Sequence, residues 1–206
     1  MLDWNGSLIP CTGRKCTTMS YTFSGWRTVD LIVAAVLAVA SGVIFVAWNS
    51  LYAPLSLGLS GLTPGFVALL DGVWLIGGLL VALVVRRPGA AVLGEMIAAS
   101  VSAIIGNQWG FTVVIFGFAQ GMAMELGFRL MRRNKVDFFI VAAAGACGGA
   151  VQGALEYFYF YAGTGVEFAT IYIASATASG AILGAGLSVL LVRTLTKTGI
   201  LATFGR

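Results

Sequence analysis

Four carboxylic acids, Asp71, Glu95, Glu125 and Glu156, stand inside long apolar runs of this chain. An ionisable group held at the centre of a lipid-embedded helix costs roughly 2.5 to 3.5 kcal/mol on insertion scales, so each of the four needs a physical account. All are acids, and Glu167 opens the last run. Away from the basic segments the charge is therefore wholly negative, which suits a cationic or amine-bearing ligand. Glu156 has the richest surroundings. Gly145, Gly149, Gln152, Glu156 and Tyr159 recur at i, i+4 and i+7 spacing and share one helix face. Glycines that permit close approach give way along that face to an amide, an acid and a phenol. Helices that meet tightly in one half and splay around a cavity in the other would show this pattern; a hydrogen-bonded cluster among packed helices is the other reading.

Further polar and aromatic residues belong at the same level. Trp48, Asn49 and Tyr52 end the first run, and Asp71 and Trp74 lie three apart on one face of the second. Asn107, Gln108 and Trp109 make a short connection, Gln120 lies within the fourth run, and Tyr157, Phe158, Tyr159, Phe160 and Tyr161 crowd the end of the fifth. An interfacial belt accounts for Trp and Tyr at a bilayer surface, yet a belt should occur at both surfaces, and the basic ends hold almost none apart from Trp26. Ring walls with a carboxylate and amides can instead sandwich a flat heterocycle by stacking and cation–π attraction. Two acids have simpler readings available. Glu125 precedes Arg129 by four residues, the favourable order for an intrahelical pair. Glu95, about seven residues into its run, either meets a basic loop residue or faces a polar interior.

Elements able to hold these groups follow from composition. Of 206 residues 59% are apolar and only 10% charged, with a mean hydropathy of +0.95, far from the quarter of charged residues usual in soluble domains. Six runs, approximately 28–51, 63–85, 88–106, 110–131, 136–162 and 167–195, have about the 20 residues needed to cross a bilayer. Without apolar/polar alternation they read as helices rather than barrel strands. The expected fold is all-α, an integral membrane bundle of six helices. Arg27, Arg86, Arg87, Arg129, Arg132, Arg133, Lys135, Arg193, Lys197 and Arg206 all fall at one set of ends, whereas 52–62, 107–109 and 163–166 carry no Lys or Arg. That asymmetry places both termini in the cytoplasm. Residues 1–24 read as a polar leader rather than a signal peptide, with Met19 an alternative start, ahead of a single domain over 25–206. The basic balance reports topology here, so no nucleic-acid partner is expected.

Small residues recur every fourth position in four runs: Ala34, Ala38 and Gly42; Gly94, Ala98, Ser102 and Gly106; Gly145, Gly149 and Gly153; Ala176, Gly180, Gly184 and Ser188. In lipid, such stripes let helix backbones approach. Each stripe serves either packing within the chain or reception of another protein's helix.

Several chemistries lack their residues. With no histidine, imidazole zinc sites, Ser-His-Asp triads and imidazole relays are excluded. Cys11, Cys16 and Cys147 form no disulfide framework, and no Walker-type phosphate loop is present. An enzyme is the weaker class, and no metal or cofactor is expected.

The stretch Asp71-Gly72-Val73-Trp74-Leu75-Ile76-Gly77-Gly78, then Arg86-Arg87-Pro88-Gly89-Ala90-Ala91, Gly94-Glu95 and Gly106-Asn107-Gln108-Trp109-Gly110, resembles the YkoE-like family of substrate-binding S components of energy-coupling factor (ECF) vitamin transporters. The resemblance runs from about Trp26 to Lys197. It implies a plasma-membrane protein of a prokaryotic inner membrane that binds thiamin or its hydroxymethylpyrimidine precursor from outside. It further implies a transmembrane coupling protein and two cytoplasmic ATPases as partners. S components of this kind meet the coupling protein through an Ala-x-x-x-Ala stripe on the first helix, a pattern that Ala34 and Ala38, continued by Gly42, match. The better-known thiamin-binding S components use a site histidine, which this chain lacks. On this reading Trp48, Trp74, Trp109, Tyr157 and Tyr159 enclose the rings, and Glu156 or Asp71 offsets positive charge. Asn107, Gln108, Gln120 and Gln152 fix orientation, Glu95 is a further ligand candidate, and 52–62 forms a lid. Two other readings remain: a self-sufficient proton-coupled transporter of small organic cations or amines with Glu95 and Glu125 as carriers, and an accessory membrane subunit without a ligand.

Overall fold

A computed structural model of the protein describes residues 25–61, 65–131 and 137–198. The leader and Arg132, Arg133, Lys135 and Arg206, with the roles expected of them, lie outside the described residues. Among those described, every regular element is helical. Helix α1 (Thr28–Ser60) is followed by a 3-10 helix (Phe66–Leu75) that runs straight into α2 (Ile76–Val85), then by α3 (Ala90–Ile105), α4 (Thr112–Leu130) and α5 (Phe138–Phe160). Helix α6 (Val166–Ser179) passes through a π turn (Gly180–Gly184) into α7 (Ala185–Lys197). These make six passages at the places the apolar runs predict. Five are long and apolar enough to cross a membrane; α3, at 16 residues, reaches about 24 Å and is short for that purpose.

The second passage is the axis of the bundle. Its sequence is apolar on all sides apart from Asp71, and 78% of its span is buried, against 33 to 50% for the other long passages. Leu75 and Leu79 sit wholly inside with Met124, Val141, Ala144 and Ala185 from the surrounding helices. A helix apolar all round belongs at such a centre, and amphipathic neighbours could not replace it.

At one end an ion pair ties the first passage to the second. Asp30 accepts the Arg27 backbone N–H at 3.1 Å and meets Arg87 Nε at 3.0 Å, so Arg27, Arg86 and Arg87 share that end. Arg86 closes α2 in the left-handed region at φ 54°, where its own Nε donates to the Leu83 carbonyl at 3.0 Å and satisfies a terminal acceptor.

Two expectations are overturned. The lid expected over 52–62 is helix as far as Ser60: α1 continues through Pro54, making a 33-residue helix about 50 Å long that must tilt in a bilayer or project beyond it. The first-helix stripe does not face a partner. Ala34 and Ala38 are fully buried, and a Cβ on Gly42 would lie 2.6 Å from that of Val101 on α3, so the stripe's occupant is this chain's own third helix. The outward face of α1 carries Ile32, Val36 and Val43 instead. The other three stripes are likewise buried within the chain, except at Gly106.

Gly145 and Gly180 oppose one another so closely that a Cβ on either would strike the other's carbonyl, and a Cβ on Gly149 would strike that of Ala176. Gly145→Ala should therefore destabilise the bundle by about 1 to 3 kcal/mol through overpacking. Gly186→Ala, into open space, should leave the unfolding temperature in detergent unchanged. Equal melting of the two variants would refute the close approach.

Candidate ligand-binding site

The site begins with a break in a helix. Ten residues of 3-10 conformation are unusual, since side chains eclipse and hydrogen-bond geometry is poorer than in an α-helix. Side chains from two other passages stabilise the segment. Ser179 Oγ accepts the Gly72 N–H at 2.8 Å and donates to the Leu69 carbonyl at 2.6 Å. Where the ladder changes to α, Glu95 Oε2 accepts the Gly78 N–H at 2.6 Å. A carboxylate is favoured there because the helix N-terminus carries partial positive charge. Glu95 can reach it because Gly94 permits close approach: a Cβ there would lie 2.7 Å from the Gly77 carbonyl. Of the two readings of Glu95, the polar interior is the observed one.

Towards the end away from Arg27, Arg86 and Arg87 the helices part around a partly open cavity. Each wall follows helical spacing. Phe45 and Asn49 come from α1, Glu95, Ala99 and Ser102 from α3, Thr112, Phe116 and Gln120 from α4, and Gln152, Glu156 and Phe160 from α5. Trp74 enters from the 3-10 segment and Trp109 from the α3–α4 turn.

Hydrogen bonds and ring contacts hold these side chains in place. Trp74 Nε1 donates to Asn49 Oδ1 at 2.9 Å, and Asn49 Nδ2 donates to Ser102 Oγ at 3.2 Å. Tyr52, Trp74 and Trp109 form a mutual cluster with centroid separations of 4.9, 5.5 and 5.2 Å, two of the three contacts edge-to-face. Phe116, also in the wall, meets Tyr159 edge-on at 5.3 Å. Glu156 receives two donors, Gln152 Nε2 at 3.0 Å and the Tyr172 hydroxyl at 2.6 Å. Tyr172 is itself buried and stacked on Phe168.

Of the expected ligand-facing residues, Trp74, Glu95, Trp109, Gln120, Gln152 and Glu156 come together in the cavity wall. Six others are placed elsewhere. Asn107 spends its side chain on the turn, with Oδ1 accepting the Trp109 N–H at 2.8 Å; it aims Trp109 rather than a ligand. Gln108 is exposed on that turn. Trp48 packs on the cluster of Phe45, Val73 and Leu80. Tyr157 donates to the Thr164 carbonyl at 2.9 Å, and Tyr159 stands behind Phe116 with most of its surface outward. Asp71 lies fully buried behind Glu156. Glu125 sits 3.6 Å from Arg129, as its i, i+4 spacing predicts, and is not in the cavity wall.

Sequence reasoning missed Phe45, Ser102, Thr112, Phe116 and Phe160 and gave Asn49 no role. A signal existed: Thr112, Phe116 and Gln120, like Gln152, Glu156 and Phe160, recur every fourth residue, and Asn49 follows Phe45 by four.

A family model described as "ABC-type cobalt transport system, permease component" matches residues 29–151, more than half of the chain. The chain belongs to this permease family. One relative is the putative HMP/thiamine permease protein YkoE of Bacillus subtilis (strain 168), 25% identical over 177 residues that span 85% of this chain and 87% of the relative. A solved structure titled "Crystal structure of an S-component of ECF transporter" superposes with a TM-score of 0.76 at 24% identity, covering 86% of this chain and 89% of that one. The fold is thus that of an S component. The chain is a YkoE-like permease component, a membrane transport protein and not an enzyme.

Removing the Glu95 side chain would strand the Gly78 N–H. Glu95→Ala should cost about 1 to 3 kcal/mol of stability, whereas Glu95→Gln, whose amide oxygen still accepts, should retain most of it. Thermal unfolding in detergent separates the two, and equal losses would contradict the cap.

Proposed function

We propose that the protein is the substrate-binding subunit of an ECF-type vitamin importer and takes up thiamin or a hydroxymethylpyrimidine-type precursor. The observation that carries this reading is the cavity: its wall holds the contacting ring pairs Trp74–Trp109 and Phe116–Phe160, with the buried Glu95 and the half-buried Glu156. Rings lining the cavity suit a flat heterocycle. The acids suit a thiazolium cation or an exocyclic amine, and Gln120 and Gln152 can read a pyrimidine edge. The named activity of YkoE supports the same ligand class.

Its walls fit an organic ring better than the cobalt ion in the family's description. Among the described residues no three His, Cys, Asp or Glu side chains gather as metal ligands. Carriage of protons by Glu95 and Glu125 is less favoured, because Glu95 is engaged by the Gly78 N–H and Glu125 lies beside Arg129. On this proposal the arginine-rich end and both termini face the cytoplasm of a prokaryotic cell, and the cavity opens outward. A transmembrane coupling protein and two ATPases supply the energy. The contact with that coupling protein would use an outward face of the bundle, since the small-residue stripe of α1 is buried.

Calorimetry on purified protein should show thiamin or hydroxymethylpyrimidine binding. Trp74→Ala or Trp109→Ala should weaken it by about 1 to 3 kcal/mol, the range of lost ring stacking. Glu156→Gln should weaken thiamin binding by about 1.5 to 3 kcal/mol if a charge-assisted contact is lost. Unchanged affinity in all three variants would remove this cavity as the site. Vesicles containing the chain alone should bind the vitamin without accumulating it, and accumulation driven by a proton gradient would favour the self-sufficient transporter.

A further inference from the structure

Asp71 has no role in the wall, yet it is fully buried, and neither of its carboxylate oxygens receives an N–H or O–H from the described residues. Its neighbour is Glu156, whose carboxyl lies within hydrogen-bonding reach. Two carboxylates have only acceptors to offer each other. Their contact becomes a hydrogen bond when one of them holds a proton, and two unprotonated acids side by side in a low-dielectric interior repel strongly.

We propose that Asp71 and Glu156 share one proton in the empty site and that binding of a cationic ligand expels it to solvent. Asp71 is then a positioning residue that sets the charge presented by Glu156. The proposal rests on the thiamin-type ligand reading and deepens it.

The surroundings are consistent with a single retained proton. Tyr52 on α1, Tyr161 beyond α5 and Tyr172 on α6 are the titratable groups facing the pair, and Glu95 stands in the cavity wall with Glu156. Tyr172 and Gln152 both donate to Glu156, leaving Asp71 the poorer in donors and therefore the natural holder of the proton. A ligand cation beside Glu156 supplies the positive charge that lets the second acid ionise. The proton leaves to buffer, and no other group changes its charge. A neutral ring such as hydroxymethylpyrimidine supplies no such charge and leaves the proton in place. The pair thus distinguishes the two ligand forms: the cation binds more tightly as pH rises, and the neutral ring binds independently of pH.

Calorimetry of the full chain with thiamin, repeated in buffers of different ionisation enthalpy, counts the protons released. About one should leave with thiamin and none with hydroxymethylpyrimidine, and thiamin affinity should approach a tenfold gain per pH unit below the pair's upper ionisation. Asp71→Asn should abolish both the proton release and the pH dependence, because an amide donates permanently to Glu156. Thiamin binding to the unaltered protein without proton release would overturn the proposal, and that measurement needs no variant to fold. Proton release that persists in a folded Asp71→Asn protein would also overturn it. Absence of binding by both ligands would instead refute the ligand reading on which the proposal stands.

Discussion

Hydrocarbon offers no hydrogen bonds, and every backbone group and every charge inside this bundle must be met by another part of the chain. The second passage makes that demand severe, because it crosses the centre partly as a 3-10 helix. Ser179 bonds both an N–H and a carbonyl of that segment, and Glu95 takes the Gly78 N–H where the helix turns regular. These contacts join the second passage to the sixth and the third. Two of the buried polar groups that seem out of place in so apolar a sequence thus have the same cause.

The irregular segment also makes the site. A tighter helix brings Trp74 to the cavity and Asp71 to the back of Glu156, while the facing π turn lets Gly180 lie against Gly145. Close backbone contact along the glycine faces of α5 and the last passage leaves the ring-bearing ends of α1, α4 and α5 to form walls. Cavity and tight packing are two consequences of one gradient, small side chains at one level and aromatic ones at the other. Most of the wall's surface is apolar, so the two acids and two glutamines act in a setting of lower dielectric where each counts for more than it would in water.

Much of this was legible in the chain itself. Apolar length yielded the passages, and the placement of arginines separated the two ends. Four-residue recurrence singled out the face carrying Gln152 and Glu156. The Glu125–Arg129 pair followed from spacing alone. Failures came where one pattern serves two structures. A stripe of Ala and Gly packs equally well on a sister helix or a foreign one, and here Val101 of α3 fills the place given to a partner. Pro54 and Gly58 read as loop, yet α1 runs through both despite the hydrogen bond that a proline inside a helix removes. Asn107 looked like a ligand donor, but its short amide reaches its own turn first.

By itself the sequence determined the solvent in which the protein lives, the number of helical passages and the acidic, aromatic character of one end, since these depend on local composition and period. Which acids line the cavity, which caps a helix and which stands behind another was decided only by tertiary structure. Asp71, Glu95 and Glu156 are chemically alike and similarly placed in apolar runs. Their roles differ because of what the other passages bring against them: among the described residues no donor but a second carboxyl for Asp71, the N–H of Gly78 for Glu95, and Tyr172 and Gln152 for Glu156.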